Sequence, residues 1–130
     1  MGNRAAIYIN GQTTGIYMHW NGGRDSVEPL LQAARNYGIR GDDYGTARLT
    51  QIIGNALGGT LSLGVSSLDR LDLNNGDNGT YVINDKFEII DRLYMHNVPE
   101  NPPTPEAHDR ILKYIHSRND EYFKEDQQWT

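Results

Sequence analysis

The sequence predicts an α+β fold, with an antiparallel sheet built from an N-terminal hairpin and a central meander, two helices on one face and a C-terminal helix. Three observations predict it: two strand-like runs meeting at Asn10-Gly11, two segments with apolar residues at helical spacing, and a proline-rich stretch leading into a third such segment. A chain of 130 residues with 37% hydrophobic content suits one domain over 1–130. Within it, 1–98 reads as the core, 99–105 as a stiff linker and 106–125 as the final helix.

Ala5–Ile9 and Gly15–Trp20 read as the paired strands, and Asn10-Gly11 is a type I′ turn signal between them. Val27, Leu30, Leu31, Ala34 and Tyr37 then recur at helical spacing. Pro29 lacks an N–H and fits only the first turn of that helix, so Asp25 or Ser26 is the expected N-cap, and Gly38 the expected C′ residue. A second helix is predicted from about Asp43 to Leu57 and stopped by Gly58-Gly59. Its interior Gly54 costs about 1 kcal/mol against alanine, which suggests close packing of another element there.

Thr60–Val65 alternates as a half-buried strand, and Ser66–Leu73 is ambiguous between a short helix and an irregular strand. Asn74–Gly79 is a turn, and Thr80–Ile83 and Lys86–Met95 supply two further strands around Asn84-Asp85. Pro99–Pro105 forms the linker, with Thr104 as N-cap and Pro105 at the first helical position of a helix carrying Ile111, Leu112, Ile115 and Tyr122. Lys124–Thr130 is expected to fray.

Function is sought first in the seam between the hairpin and the first helix, where His19, Trp20, Asn21, Gly22, Gly23 and Arg24 stand together. Paired glycines allow backbone N–H groups to approach a ligand, and a helix N-terminus favours anions. The bland alternative is a structural turn with its cap, which needs the same residue types. The seam has neither GxGxxG nor GxxxxGK[ST] spacing, so it is not a nucleotide fingerprint. Tyr44 and Arg48, at the start of the second helix, are the other candidates to converge on a nucleotide-like anion. In an alternating strand one of His19 and Trp20 should face the core and the other solvent.

No catalytic residue is assigned, because no nucleophile elbow, Ser/His/Asp order or paired carboxylates in a cleft motif appears. No cofactor is expected. Nor is a metal: the chain has no cysteine, and its four histidines form no HExxH motif. Asp72–Asp85 imitates a calcium loop, but Gly76 stands at a ligand position and strands flank the loop, which favours an Asx-rich turn. A net charge of −5 argues against direct nucleic-acid binding. No apolar run approaches membrane-spanning length and no leader is evident, so a cytoplasmic protein is expected.

The segments Tyr17–Glu28, Tyr44–Arg48, Gln51–Asn55 and Asn75–Tyr81 resemble a family of small, largely uncharacterised proteins carried by phages and mobile elements, over residues 3–95. The resemblance implies an anti-defence protein, anti-CRISPR-like, in the cytoplasm of the bacterial host cell. Such a protein would bind a defence effector, a CRISPR-Cas subunit or similar, and block nucleic-acid recognition or cleavage. In that reading Asp42, Asp43, Asp69, Asp72, Asp77, Glu121 and Glu125 occupy basic surface on the effector. The competing reading is a small-ligand binder or enzyme acting on a nucleotide-like anion, such as a signal-nucleotide sponge. A third, an assembly or housekeeping protein of the element, places homo-oligomer contacts first.

Overall fold

The computed structural model describes residues 3–57, 63–95 and 101–123. Five short runs make strands, β1 (Ala5–Ile9), β2 (Thr14–Met18), β3 (Leu63–Ser67), β4 (Thr80–Ile83) and β5 (Ile89–Leu93). Three helices, α1 (Arg24–Asn36), α2 (Asp43–Leu57) and α3 (Pro105–Asn119), accompany them, and a short 3₁₀ turn (Asp120–Tyr122) follows α3.

The sheet order is β3-β2-β1-β4-β5. Neighbours pair antiparallel except β1 and β4, which run parallel with Ile7 opposite Tyr81 and Ile9 opposite Ile83. The sheet is therefore mixed, and the expected central meander is absent: β3 and β4 are consecutive in sequence but lie on either side of the N-terminal hairpin. The physical reason lies in β1 and β4. Ala5, Ala6, Ile7 and Ile9 are buried, as is every residue of β4, and a strand buried on both faces belongs inside a sheet.

On one face Ile7, Ile9, Ile16, Met18, Tyr81 and Ile83 meet Val27, Leu30 and Leu31 of α1 and Leu49, Ile52 and Ile53 of α2 in one core. The other face is crossed by the β3–β4 connection. Leu68 and Leu71 lie over Gly15, where a Cβ would come within 3.0 Å of both side chains. Thr80 Oγ1 donates to the carbonyl of Leu73. The C-terminal helix neither closes a sheet edge nor projects. It packs on both α1 and α2, with buried Ile115 in the core and buried Asn119 Nδ2 donating to the carbonyl of Ile52.

Local chemistry explains most of the boundaries. Thr104 caps α3 by accepting from the Ala107 N–H, with Pro105 at its start, as the sequence predicts. Gly38, at φ +68°, follows the Tyr37 cap of α1 as the C′ residue. α1 begins at Arg24, earlier than expected: Gly23, two residues before Asp25, is the N-cap with no side-chain cap, Asp25 sits in the first turn, and Pro29 lies inside the helix rather than in its first turn. The β1–β2 loop spans residues 10–13, and its Gln12 N–H bonds to the carbonyl of Ile9. Of Asn10 and Gly11 only Gly11 has positive φ, so the turn is type II rather than type I′. The Gly58-Gly59 stop of α2, the strand start at Thr60, linker residues 99–100 and the helix end beyond 123 lie outside the described residues.

Candidate functional site

The hairpin-to-α1 seam is built for structure. The Asn3 N–H bonds to the carbonyl of His19, the Gly22 N–H bonds to the carbonyl of Asn3, and buried Tyr81 donates its hydroxyl to the carbonyl of Gly22 at 2.8 Å. Gly22 is required by this closeness, since a Cβ there would stand 2.6 Å from Asn3 O and 2.7 Å from the Ala5 Cβ. Its donor is therefore turned inward onto protein. The Gly23 carbonyl is likewise used, accepting from the N–H groups of Ser26 and Val27.

Side chains along the seam follow the same rule. β2 ends at Met18, so the strand alternation expected of His19 and Trp20 does not extend to them. His19 is half-buried with Nδ1 hydrogen-bonded to the Tyr17 hydroxyl at 2.9 Å, and its ring meets Trp20 edge-on at 5.0 Å. Trp20 is exposed rather than in the core, Asn21 takes the left-handed conformation at φ 61°, and Arg24 forms an ion pair with Glu28 along α1.

Tyr44 and Arg48 do not join these residues. The seam lies at the N-terminal end of α1, whereas Tyr44 and Arg48 line an open groove with Tyr37–Arg40, at its C-terminal end. Thirteen helical residues separate the two, a distance of about 20 Å. The eight candidate residues thus form two groups.

The groove has a volume of about 540 Å³. Gly38 and Ile39 come from the α1–α2 connection, Tyr122 and Phe123 from the end of the chain's described part, and Arg40, Tyr44 and Arg48 supply its polar and aromatic wall. The wall is ordered by close packing. A Cβ on Gly45 would fall 1.8 Å from the carbonyl oxygen of Arg40, so only glycine lets the first turn of α2 seat against this loop. Asp42 caps α2 by accepting from the N–H groups of Tyr44 and Gly45, and it also accepts from Arg40. Desolvation pushes the Asp42 carboxyl upward, but the Arg40 and backbone hydrogen bonds outweigh it and leave its pKa below the usual carboxylate range. Held this way, the Arg40 guanidinium lies over the Tyr44 ring, 4.9 Å from its centre.

The floor of the groove is equally fixed. Tyr37 stacks on Phe123 with ring centres 4.7 Å apart, and its hydroxyl donates to Asp120 Oδ1 at 2.5 Å. Burial first, and the Asp120 carboxylate second, raise the Tyr37 phenol well above its usual pKa. This tyrosine is thus held neutral. Arg48 differs from its neighbours: it is exposed and has no hydrogen-bond or ion-pair partner among the described residues.

The acidic residues expected to meet a partner also divide. Asp77 accepts from both the backbone N–H and the Nε of Arg4, at 3.1 and 2.8 Å, while Asp42 is committed to Arg40 and the α2 cap. Both carboxylates thus already have partners within the chain, Asp77 largely covered and Asp42 still 40% exposed. Asp72 approaches Arg4 at 4.0 Å. Asp43, Asp69 and Glu121 are exposed, and Glu125 lies outside the described residues. In the loop that imitates a calcium site, Asn75 Oδ1 accepts from the N–H groups of Asp77 and Gly79 and its Nδ2 donates to the carbonyls of Asp72 and Gly79, which makes it the pin of an Asx-rich turn.

Sequence reasoning missed Tyr37, Ile39 and Arg40 as groove residues. The only local signal was an arginine set between two helices and two residues from a capping aspartate. No helix among the described residues is long and apolar enough to cross a membrane. Comparison of the chain with protein-family models, curated proteins and solved structures gives no match.

Proposed function

We propose that this chain is an anti-defence protein of the phage and mobile-element kind, which binds a host effector protein and blocks its recognition or cleavage of nucleic acid. The observation that supports the reading is the outer side of β5. There Ile90, on the edge strand, and Tyr94 and Met95, just past its end, are 50%, 52% and 40% exposed although the chain already encloses a full core. Exposed apolar side chains grouped near one sheet edge suit an association surface, and aromatic side chains carry much of the energy of such contacts.

Exposed carboxylates complement that edge. Asp91 lies on β5 itself, and Asp43 and Asp69 are exposed elsewhere. A nucleic-acid-binding effector presents basic surface, and a chain of net charge −5 is steered toward it. The effector, a CRISPR-Cas subunit or similar, places the action in the cytoplasm of the bacterial host.

The test is native mass spectrometry of the tagged chain captured from host lysate, beside a variant carrying Ile90→Arg and Tyr94→Ala. Both positions are solvent-exposed, so the variant keeps its fold. A stoichiometric nuclease or effector subunit retained by the natural sequence and lost by the variant supports the reading. Capture of no protein, or equal capture by both, overturns it.

A further inference from the structure

We infer that the groove between the end of α1, the start of α2 and the 3₁₀ turn binds a nucleotide, a small molecule joining a phosphate to a flat aromatic base. The inference is independent of the protein-binding reading above, which uses Ile90, Tyr94 and Met95, none of them a residue that lines the groove.

Charge is the first reason. Two guanidiniums face one groove in a chain of net charge −5, and Asp42 neutralises only Arg40. Arg48 is left with its fork of donors in solvent and no protein acceptor among the described residues. A guanidinium in that state is suited to a phosphate, which it can engage through two parallel hydrogen bonds.

Shape and aromatic content are the second. Tyr44 is 62% and Tyr122 54% exposed on the groove wall, so each offers ring surface to a ligand. Stacking of a base on an aromatic ring contributes about 1–3 kcal/mol in single-stranded nucleic-acid sites. The volume of about 540 Å³ falls inside the range of small-molecule sites, roughly 300–1,000 Å³, and holds one mononucleotide.

Preorganisation is the third. Arg40 is held by Asp42 and by its stacking on Tyr44, and the loop bearing it is locked by the Gly45 contact. Tyr37, fixed between Phe123 and Asp120, forms a rigid floor. Arg40 and Tyr37 thus have little conformational freedom left to lose when a ligand enters, which favours affinity, and Arg48 is the side chain that a ligand would order. The sequence contains no phosphate-loop fingerprint because these contacts come from side chains rather than a glycine-rich backbone cradle.

The experiment is isothermal titration calorimetry of the full chain with AMP, GMP, CMP and UMP and their diphosphates, with adenosine and guanosine, with inorganic phosphate, and with a poly-glutamate peptide. One or more nucleotides should bind at a 1:1 ratio, with the matching nucleoside and phosphate alone at least about tenfold weaker. Arg48→Ala should lose at least about tenfold in affinity with its unliganded melting temperature unchanged, and Tyr44→Phe should retain binding that Tyr44→Ala loses. Absence of nucleotide binding at millimolar concentration, or equal affinity in Arg48→Ala, overturns the inference. Binding of poly-glutamate in place of every nucleotide also overturns it and reassigns the groove to an acidic protein segment.

Discussion

The side-chain nitrogen of Asn36 lies 3.0 Å from Nε2 of His116, and the direction of that hydrogen bond is set by a chain of neighbours on α1. Arg35 donates to Gln32 Oε1, which leaves the Gln32 amide nitrogen to donate to Asn36 Oδ1, both at 2.8 Å. Asn36 therefore presents its own amide nitrogen to His116, and Nε2 must accept. The proton of the neutral ring resides on Nδ1, facing Asp120 Oδ1 at 3.0 Å and the Tyr37 hydroxyl at 2.9 Å. Nitrogen-15 NMR should show the Nδ1–H tautomer, and a predominant Nε2–H signal would contradict this network. His116→Ala removes the hub that ties α3 to α1 and should cost about 1–3 kcal/mol in urea unfolding.

Asn119 makes the corresponding tie to α2. Fully buried, it donates to the carbonyls of Ile52 and Ile115 and accepts from Asn55 Nδ2 at 2.9 Å. Asn119→Ala leaves those groups without their partner and a void in their place. A loss of about 2–3 kcal/mol is expected by chemical denaturation, whereas a loss below 0.5 kcal/mol would show that water takes over the role.

Gly54 gives the opposite sign. Among the described residues a Cβ there would meet only Leu63 Cδ2, at 3.7 Å, an ordinary contact, and none of them shows the close packing expected of this mid-helix glycine. Gly54→Ala should stabilise the protein by about 0.5–1 kcal/mol through helix propensity, read as a higher denaturation midpoint at constant slope.

Acid sensitivity follows from Asp77. The Arg4 side-chain hydrogen bond, then the Arg4 backbone N–H, hold its carboxyl below the usual range against the opposing effect of desolvation. A folded pKa below the unfolded value of about 3.9 means that the stabilisation is complete above that value and is lost as pH falls through the folded pKa. Melting curves between pH 7 and 2 should show the natural chain losing its advantage over Asp77→Asn at the acid end. A constant difference across that range would remove Asp77 from the account of acid stability.

Helices were the most legible part of the fold. The start of α2, the Thr104-Pro105 start of α3 and the Gly38 end of α1 follow from caps, which are local chemistry readable from neighbouring residues. Strand pairing was less so, because alternation identifies a strand without naming its partner: Ala5–Ile9 and Thr80–Ile83 were both recognised, and nothing local in either joins them. The candidate site was legible in fragments for the same reason. Tyr44 and Arg48 stood out at a helix start, but only the packing of α3 on α1 brings Tyr122 and Phe123 beside them. The glycines of the Trp20–Arg24 seam were conspicuous, and one of them, Gly22, serves close backbone approach to Asn3 and Ala5.

The parallel pairing of β1 with β4 also sets a timetable. Ile7 cannot meet Tyr81 until both residues have left the ribosome, so the central strand of the sheet is among the first segments synthesised and waits for one of its neighbours. Until then the nascent hairpin has an open flank, the condition in which strands seek other chains. Closing so long a loop must precede completion of the sheet, and long-range pairing of this kind forms more slowly than the local contacts of a helix.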